Sequence, residues 1–234
     1  MSDFLKRVSS FREEVFPTHS GLYRKLAREG QQPQALMISC ADSRVMPEVI
    51  TQSGPGELFV CRNAGNIVPP FSTMNGGVSS AIEYAVVALG VRDIVVCGHS
   101  DCGAMKGLCN HELLAPMPNV AAWLRHSQAA YSIVCEAYPD DLPHKDKVRA
   151  VAMENVVIQL DHLKTHPSVA AKLATNDINL HGWFFDIETG EVQVYDGAEK
   201  RFLVIEGEKP LPVAVSGRAT PHIMADPLVA VAAE

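Results

Sequence analysis

Short apolar runs separated by stretches of helical periodicity dominate this chain. The runs at 35–39, 58–62 and 93–98 have the length of strands, and the last is apolar at almost every position. A strand of that kind is typically buried on both faces, as in a parallel sheet. Further along, the segments 180–187 and 191–195 flank a turn-forming Thr-Gly pair and predict a closing β-hairpin.

Apolar residues at helical spacing fill the intervals between these strands. Helices are predicted within 76–89, 117–139 and 145–166, and the first 30 residues predict a helical arm interrupted at Pro17. Strands that alternate with helices are typical of an α/β fold. We therefore predict a mainly parallel central β-sheet flanked by helices, with an N-terminal helical arm.

The length of 234 residues and the hydrophobic content of 47% suit one substantial core. We expect a single domain over residues 1–210, of which 1–30 form the arm. Residues 211–234 are rich in Ala, Pro and Val and are expected to form a flexible tail.

Charge and cysteine content narrow the function classes. A net charge of −7 with scattered Lys and Arg argues against a nucleic-acid or anionic-membrane partner, which needs a cationic patch. The apolar runs are far shorter than the roughly 20 residues that span a bilayer. Six cysteines without close regular spacing, and no visible export signal, predict a reducing compartment and a cytoplasmic location.

Metal-ligand residues follow two of the predicted parallel strands. Cys40 follows the first strand, and His99 and Cys102 follow the third. Because the carboxyl ends of parallel strands meet at one edge of a sheet, we expect these side chains to converge. Two sulfurs and one imidazole nitrogen favour Zn²⁺, and three protein ligands leave a fourth position for water, as in catalytic sites.

An acidic and a basic residue lie close to the first of these ligands. Asp42, two residues after Cys40, either completes the metal tetrahedron or stands beside the metal, where Arg44 could hold it by a bidentate ion pair. The first arrangement is a closed, structural Cys₂HisAsp site and the second is an open, catalytic one. The residues alone leave both open.

Four short motifs follow one another along the chain: C-A-D-S-R at 40–44, R-N-A-G-N at 62–66, E-Y-A at 83–85 and G-H-S-D-C-G at 98–103. In their order and spacing they resemble the motifs of the β-carbonic anhydrases. The resemblance covers residues 4–197 and points to the plant-like subtype, with bacterial members associated with cyanate metabolism the most similar. It implies the β-carbonic anhydrase fold.

The resemblance also implies roles for the residues in these motifs. Cys40, His99 and Cys102 would be the zinc ligands, with Asp42 and Arg44 as a catalytic pair. The implied reaction is reversible hydration of carbon dioxide to bicarbonate and a proton, by attack of zinc-bound hydroxide on carbon dioxide.

In the plant-like subtype a Gln, a Phe and a Tyr line the substrate pocket. The matching positions here are Gln31, Phe59 and Tyr84, which without the family pattern would be a surface amide and two core aromatics. Another subtype has a regulatory bicarbonate pocket of Trp, Arg and Tyr. Here only Arg62 matches that set, so this regulation is not expected.

The implied partners are the small molecules carbon dioxide and bicarbonate, and a second copy of the chain. The family pocket forms between protomers, so a homodimer or a dimer of dimers is expected, with the N-terminal helices either embracing the partner or packing on their own domain. Two alternatives remain: hydrolysis of carbon disulfide or carbonyl sulfide, and a regulatory or structural zinc protein without turnover.

Overall fold

A six-stranded sheet lies at the centre of the computed structural model, which describes residues 2–72 and 76–205. In chain order its strands are β1 (Ala35–Cys40), β2 (Leu58–Asn63), β3 (Asp93–His99), β4 (Asn179–Phe185), β5 (Val192–Asp196) and β6 (Arg201–Val204). The spatial order is β2-β1-β3-β4-β5-β6, parallel from β2 to β4 and antiparallel from β4 to β6. The predicted α/β fold with a mainly parallel sheet and a closing hairpin is confirmed.

Helices connect the four parallel strands, as predicted. They are α1 (Ser2–Ser10), α2 (Phe16–Glu29), α3 (Pro47–Ile50), α4 (Gly77–Glu83), α5 (Gly103–Cys109), α6 (Pro118–Leu124), α7 (Gln128–Ala137), α8 (His144–Lys164) and α9 (Pro167–Ala174). The segment predicted as one helix at 117–139 is divided by a 3₁₀ turn at Arg125–Ser127. The predicted helix at 76–89 ends in a π-helical turn, Tyr84–Ala88.

The N-terminal arm is helical without the break that was predicted at Pro17. A π-helical turn, Phe11–Val15, joins α1 to α2, and Pro17 lies in the first turn of α2, where a backbone N–H is not needed. None of the side chains described in the arm is buried, and Phe4 is 67% exposed. Leu26 packs against Gly56, but most of the arm's large apolar side chains are left exposed by its own domain, namely Phe4, Leu5, Val8, Phe11, Val15 and Leu22.

Helix α8 packs closely on the sheet and fixes the end of β3. A Cβ added at Gly98 would lie 2.7 Å from Val156 Cγ2, and one added at Gly182 would lie 2.9 Å from Val156 Cγ1. Glycine at these two positions lets the helix approach the strands to van der Waals contact. Strand β3 is buried at every position after Asp93, as expected for a central parallel strand.

Two features lie at the end of the chain. Strand β6 was not predicted because its four residues, half exposed at the sheet edge, give too short a pattern. The predicted flexible tail, 211–234, lies outside the described residues.

Across the described residues, 2–72 and 76–205, no helix has the length and apolar character needed to cross a membrane.

Candidate metal centre

The three predicted metal ligands meet at the carboxyl edge of the parallel strands. Cys40 is the last residue of β1, His99 is the last residue of the adjacent β3, and Cys102 directly precedes α5. Their ligand atoms all lie within 4.8 Å of one another, and all three residues are buried. This is the donor set and spacing that a single zinc ion requires.

His99 is oriented so that one ring nitrogen faces this cluster without a partner. Its Nδ1 lies 2.8 Å from the carbonyl oxygen of Ser100, which only accepts, so Nδ1 carries the proton. Nε2 is buried and has no hydrogen-bond partner among the described residues. A histidine that donates from one nitrogen and leaves the other lone pair free is the usual form of a metal ligand, so the site fits zinc.

The thiols of Cys40 and Cys102 shift each other's pKa in opposite directions. The contact with Cys102, together with smaller contributions from the neighbouring His99 and the backbone N–H groups of Gly65 and Asp42, lowers the pKa of Cys40 to about 4, although burial acts in the opposite direction. The same contact with Cys40, together with burial, raises the pKa of Cys102 well above its usual range. Cys40 is therefore favoured as a thiolate, and Cys102 would need a bound cation to lose its proton.

Asp42 stands beside the cluster and is held by Arg44. Arg44 donates from Nε to Oδ1 at 3.0 Å and from Nη2 to Oδ2 at 2.8 Å, and its backbone N–H also reaches Oδ1 at 3.0 Å. These hydrogen bonds hold the pKa of Asp42 well below its usual range. The Asp42 side chain is only 18% exposed, so the carboxylate is ionised, partly shielded from water and turned towards Arg44.

The other side of Arg44 contacts Asp101, a residue for which the sequence pattern predicts no role. Arg44 donates from Nη1 to Asp101 Oδ2 at 2.9 Å and from Nη2 to the Asp101 carbonyl at 3.3 Å. Lys106 pairs with the second Asp101 oxygen. The position of Asp101 between two ligands could have suggested a site residue, but nothing in the sequence indicated its partners.

Backbone contacts hold the loop that carries Cys40 and Asp42. Arg62 donates to the carbonyl of Cys40 at 3.0 Å and to that of Asp42 at 2.7 Å, which occupies the guanidinium in support of the loop. The N–H of Gly65 lies 3.4 Å from Cys40 Sγ. Asn155 of α8 is buried and donates to the Gly65 carbonyl at 3.0 Å. The sequence pattern did not single out Asn155, although an amide among the apolar residues of a helix needs a hydrogen-bond partner when it is buried.

The three predicted pocket residues lie away from this cluster within one chain. Phe59 and Tyr84 contact each other, with ring centroids 5.8 Å apart. Phe59 pairs with Leu36, four positions before Cys40, which is about 13 Å along a strand. Tyr84 is 52% exposed, and Gln31 is exposed between α2 and β1.

Comparison with known proteins agrees with this arrangement. Residues 35–192 match the family model described as carbonic anhydrase. The chain is 46% identical over 217 residues to a carbonic anhydrase of Pseudomonas aeruginosa, covering 93% of this chain and 97% of that one.

Solved structures show the same fold. The β-carbonic anhydrase CcaA superposes with a TM-score of 0.86 at 43% identity, covering 92% of this chain and 94% of that one. A β-carbonic anhydrase of the filamentous ascomycete Sordaria macrospora, one of two described as tetrameric, gives a TM-score of 0.74 at 30% identity, covering 83% and 97%. The chain therefore belongs to the carbonic anhydrase family, in its β class, and the prediction of a carbonate dehydratase is confirmed.

Proposed function

We propose that this chain is a zinc enzyme that catalyses the reversible hydration of carbon dioxide to bicarbonate and a proton. The observation that carries the proposal is the buried group of Cys40, His99 and Cys102 with the ionised Asp42 beside it. When bound there, zinc supplies the Lewis acidity that makes a water molecule an effective nucleophile near neutral pH.

The residues around the ligands then orient the reacting water. Asp42, kept ionised by Arg44, can only accept hydrogen bonds, so it would take one from the attacking water and direct an oxygen lone pair towards the substrate carbon. Because both Asp42 oxygens are engaged by Arg44, the arrangement supports an open catalytic site over a closed Cys₂HisAsp site.

We further propose that Gln31, Phe59 and Tyr84 line the substrate pocket in an assembly of two or more copies. Two aromatic rings would give an apolar gas a dry wall, and Gln31 could donate to a substrate oxygen. Their distance along the sheet from Cys40 favours their serving the site of a second protomer. The uncovered apolar arm and the tetrameric Sordaria macrospora relatives support a homodimer or a dimer of dimers.

The subtype and location are part of the same proposal. Met37 and Phe185 stand where the regulatory bicarbonate pocket would have Trp and Tyr, and they pack in one apolar cluster with Val95 and Cys97. This supports the plant-like subtype without that regulation. The six free cysteines support a reducing, cytoplasmic compartment.

The test is a parallel assay of three substrates on one zinc-loaded preparation. Carbon dioxide hydration is followed by stopped flow, and hydrogen sulfide release is followed with carbon disulfide and carbonyl sulfide. We expect hydration to be the dominant activity and to fall in Asp42→Ala. Hydrogen sulfide release without hydration would assign the site to the sulfur substrates, and bound zinc with none of the three activities would make the protein a regulatory or structural zinc protein.

A further inference from the structure

Arg44 lies between two carboxylates that come from the two ligand loops. Asp42 follows Cys40, and Asp101 lies between His99 and Cys102. The guanidinium uses Nε and Nη2 on Asp42 and turns Nη1 to Asp101 Oδ2, at 2.9 Å. Arg44 therefore cannot rotate away from one carboxylate without also losing the other.

The charges of this group balance. Lys106 pairs with the Asp101 oxygen that Arg44 does not use, so two cations serve two carboxylates. Asp101 consequently restrains Arg44 without depriving Asp42 of its counter-charge. Isolated surface ion pairs stabilise a fold little, but connected networks with bidentate Arg–carboxylate geometry stabilise the arrangement of their side chains more.

The backbone conformation of Asp101 also helps to hold Arg44. Its φ of +58° is in the left-handed region, which Asn, Asp and Gly adopt most readily. In that conformation both its carbonyl oxygen and its carboxylate accept from Arg44, at 3.3 and 2.9 Å. The loop thus presents two acceptors to one guanidinium.

We infer that Asp101 is a positioning residue: it holds Arg44 so that Asp42 stays beside the metal and does not become its fourth ligand. The inference rests on the proposed zinc site. Without the Asp101 carboxylate, Arg44 is held from one side only, and Asp42 gains access to the Cys40, His99 and Cys102 cluster. A fourth protein ligand would close the site and slow both turnover and loss of the ion.

The test measures zinc release into an excess of chelator, without substrate, together with carbon dioxide hydration. Asp101→Gly removes the carboxylate but keeps the left-handed conformation and the carbonyl acceptor, while Asp101→Asn keeps one neutral acceptor oxygen. We expect Asp101→Gly to release zinc about tenfold more slowly and to lower kcat by a similar factor, with a smaller effect in Asp101→Asn. Lys145→Met, which removes an exposed ion pair with Glu188 that does not contact Asp42, Arg44 or Asp101, is the control and should stay within about twofold of the wild type.

The Asp42→Ala background decides between positioning and simple loop packing. If Asp101 acts through Asp42, Asp101→Gly should no longer change zinc release once the Asp42 carboxylate is gone. An unchanged release rate in Asp101→Gly alone, the same change with and without Asp42, or faster release in both backgrounds would overturn the inference. Absence of hydration in the wild type would instead reject the proposed function, and the zinc-release comparison would still judge Asp101.

Discussion

The guanidinium of Arg44 grips both carboxylate oxygens of Asp42, with Nε–Oδ1 at 3.0 Å and Nη2–Oδ2 at 2.8 Å. A bidentate pair of this kind fixes the plane of the carboxylate as well as its charge. Asp42 is therefore a fixed acceptor beside the group of Cys40, His99 and Cys102.

Loss of the Arg44 fork should damage catalysis more than stability. Arg44→Lys keeps the charge but loses the bidentate geometry, so we expect carbon dioxide hydration to fall by about 10- to 100-fold with zinc retained. Arg44→Gln should also raise the pKa of Asp42 towards its ordinary value, since the Arg44 hydrogen bonds are what lower it. Full activity with an unchanged pH profile in Arg44→Gln would contradict this role.

The buried Glu154 should make stability fall as pH rises. Burial raises the pKa of Glu154 to about 7 from 4.5, against a hydrogen bond from the Tyr138 hydroxyl at 3.1 Å. Because the folded-state pKa is above the unfolded one, the folded protein holds the extra proton between about pH 4.5 and 7, and stability declines across that window.

Glu154→Gln removes this penalty and keeps a hydrogen-bond acceptor. Relative to the wild type it should gain up to about 3 kcal/mol in free energy of unfolding between pH 4.5 and pH 8, measured by urea denaturation. Glu188→Gln, at an exposed ion pair with Lys145, is the control and should shift stability by less than about 0.5 kcal/mol. A Glu154→Gln effect that does not grow with pH would show that the carboxyl is ionised in the fold.

The glycine at the end of β3 should be intolerant of a side chain. In Gly98→Ala the new Cβ would lie 2.7 Å from Val156 Cγ2 and 3.3 Å from the Ala152 carbonyl oxygen. We therefore expect the free energy of unfolding to fall by about 1–3 kcal/mol. The same substitution at Gly103, where a Cβ would meet nothing within 4 Å, should have little effect on thermal unfolding. Equal melting temperatures for the two variants would show that α8 is not packed as described.

The convergence of Cys40, His99 and Cys102 could be predicted because its signal is local and the topology is regular. Cys40 and His99 end strands that parallel pairing brings side by side, so sequence position alone implied convergence. The roles carried by long-range hydrogen bonds left no such signal. Asp101 meets Arg44 only after the two loops fold together, and Asn155 reaches Gly65 from a distant helix.

Two further features of the structure could not be predicted from the local sequence pattern. Pro17 reads as a helix break, but the π-helical turn before it places the ring where no N–H is required. Phe59 and Tyr84, the predicted pocket aromatics, could not be located relative to each other or to Cys40 from the sequence, because their separation depends on how β2 and the helix before β3 pack in the fold.

The central claim is that one zinc ion held by Cys40, His99 and Cys102 is required for carbon dioxide hydration. The most direct test measures zinc content and stopped-flow hydration for the wild type and Cys40→Ser. The matched control is Cys135→Ser, at an exposed cysteine that forms no disulfide. We predict about one zinc per chain and rapid hydration in the wild type and the control, and loss of both in Cys40→Ser. Hydration that persists in Cys40→Ser, or a wild type that binds zinc without hydrating carbon dioxide, would contradict the account.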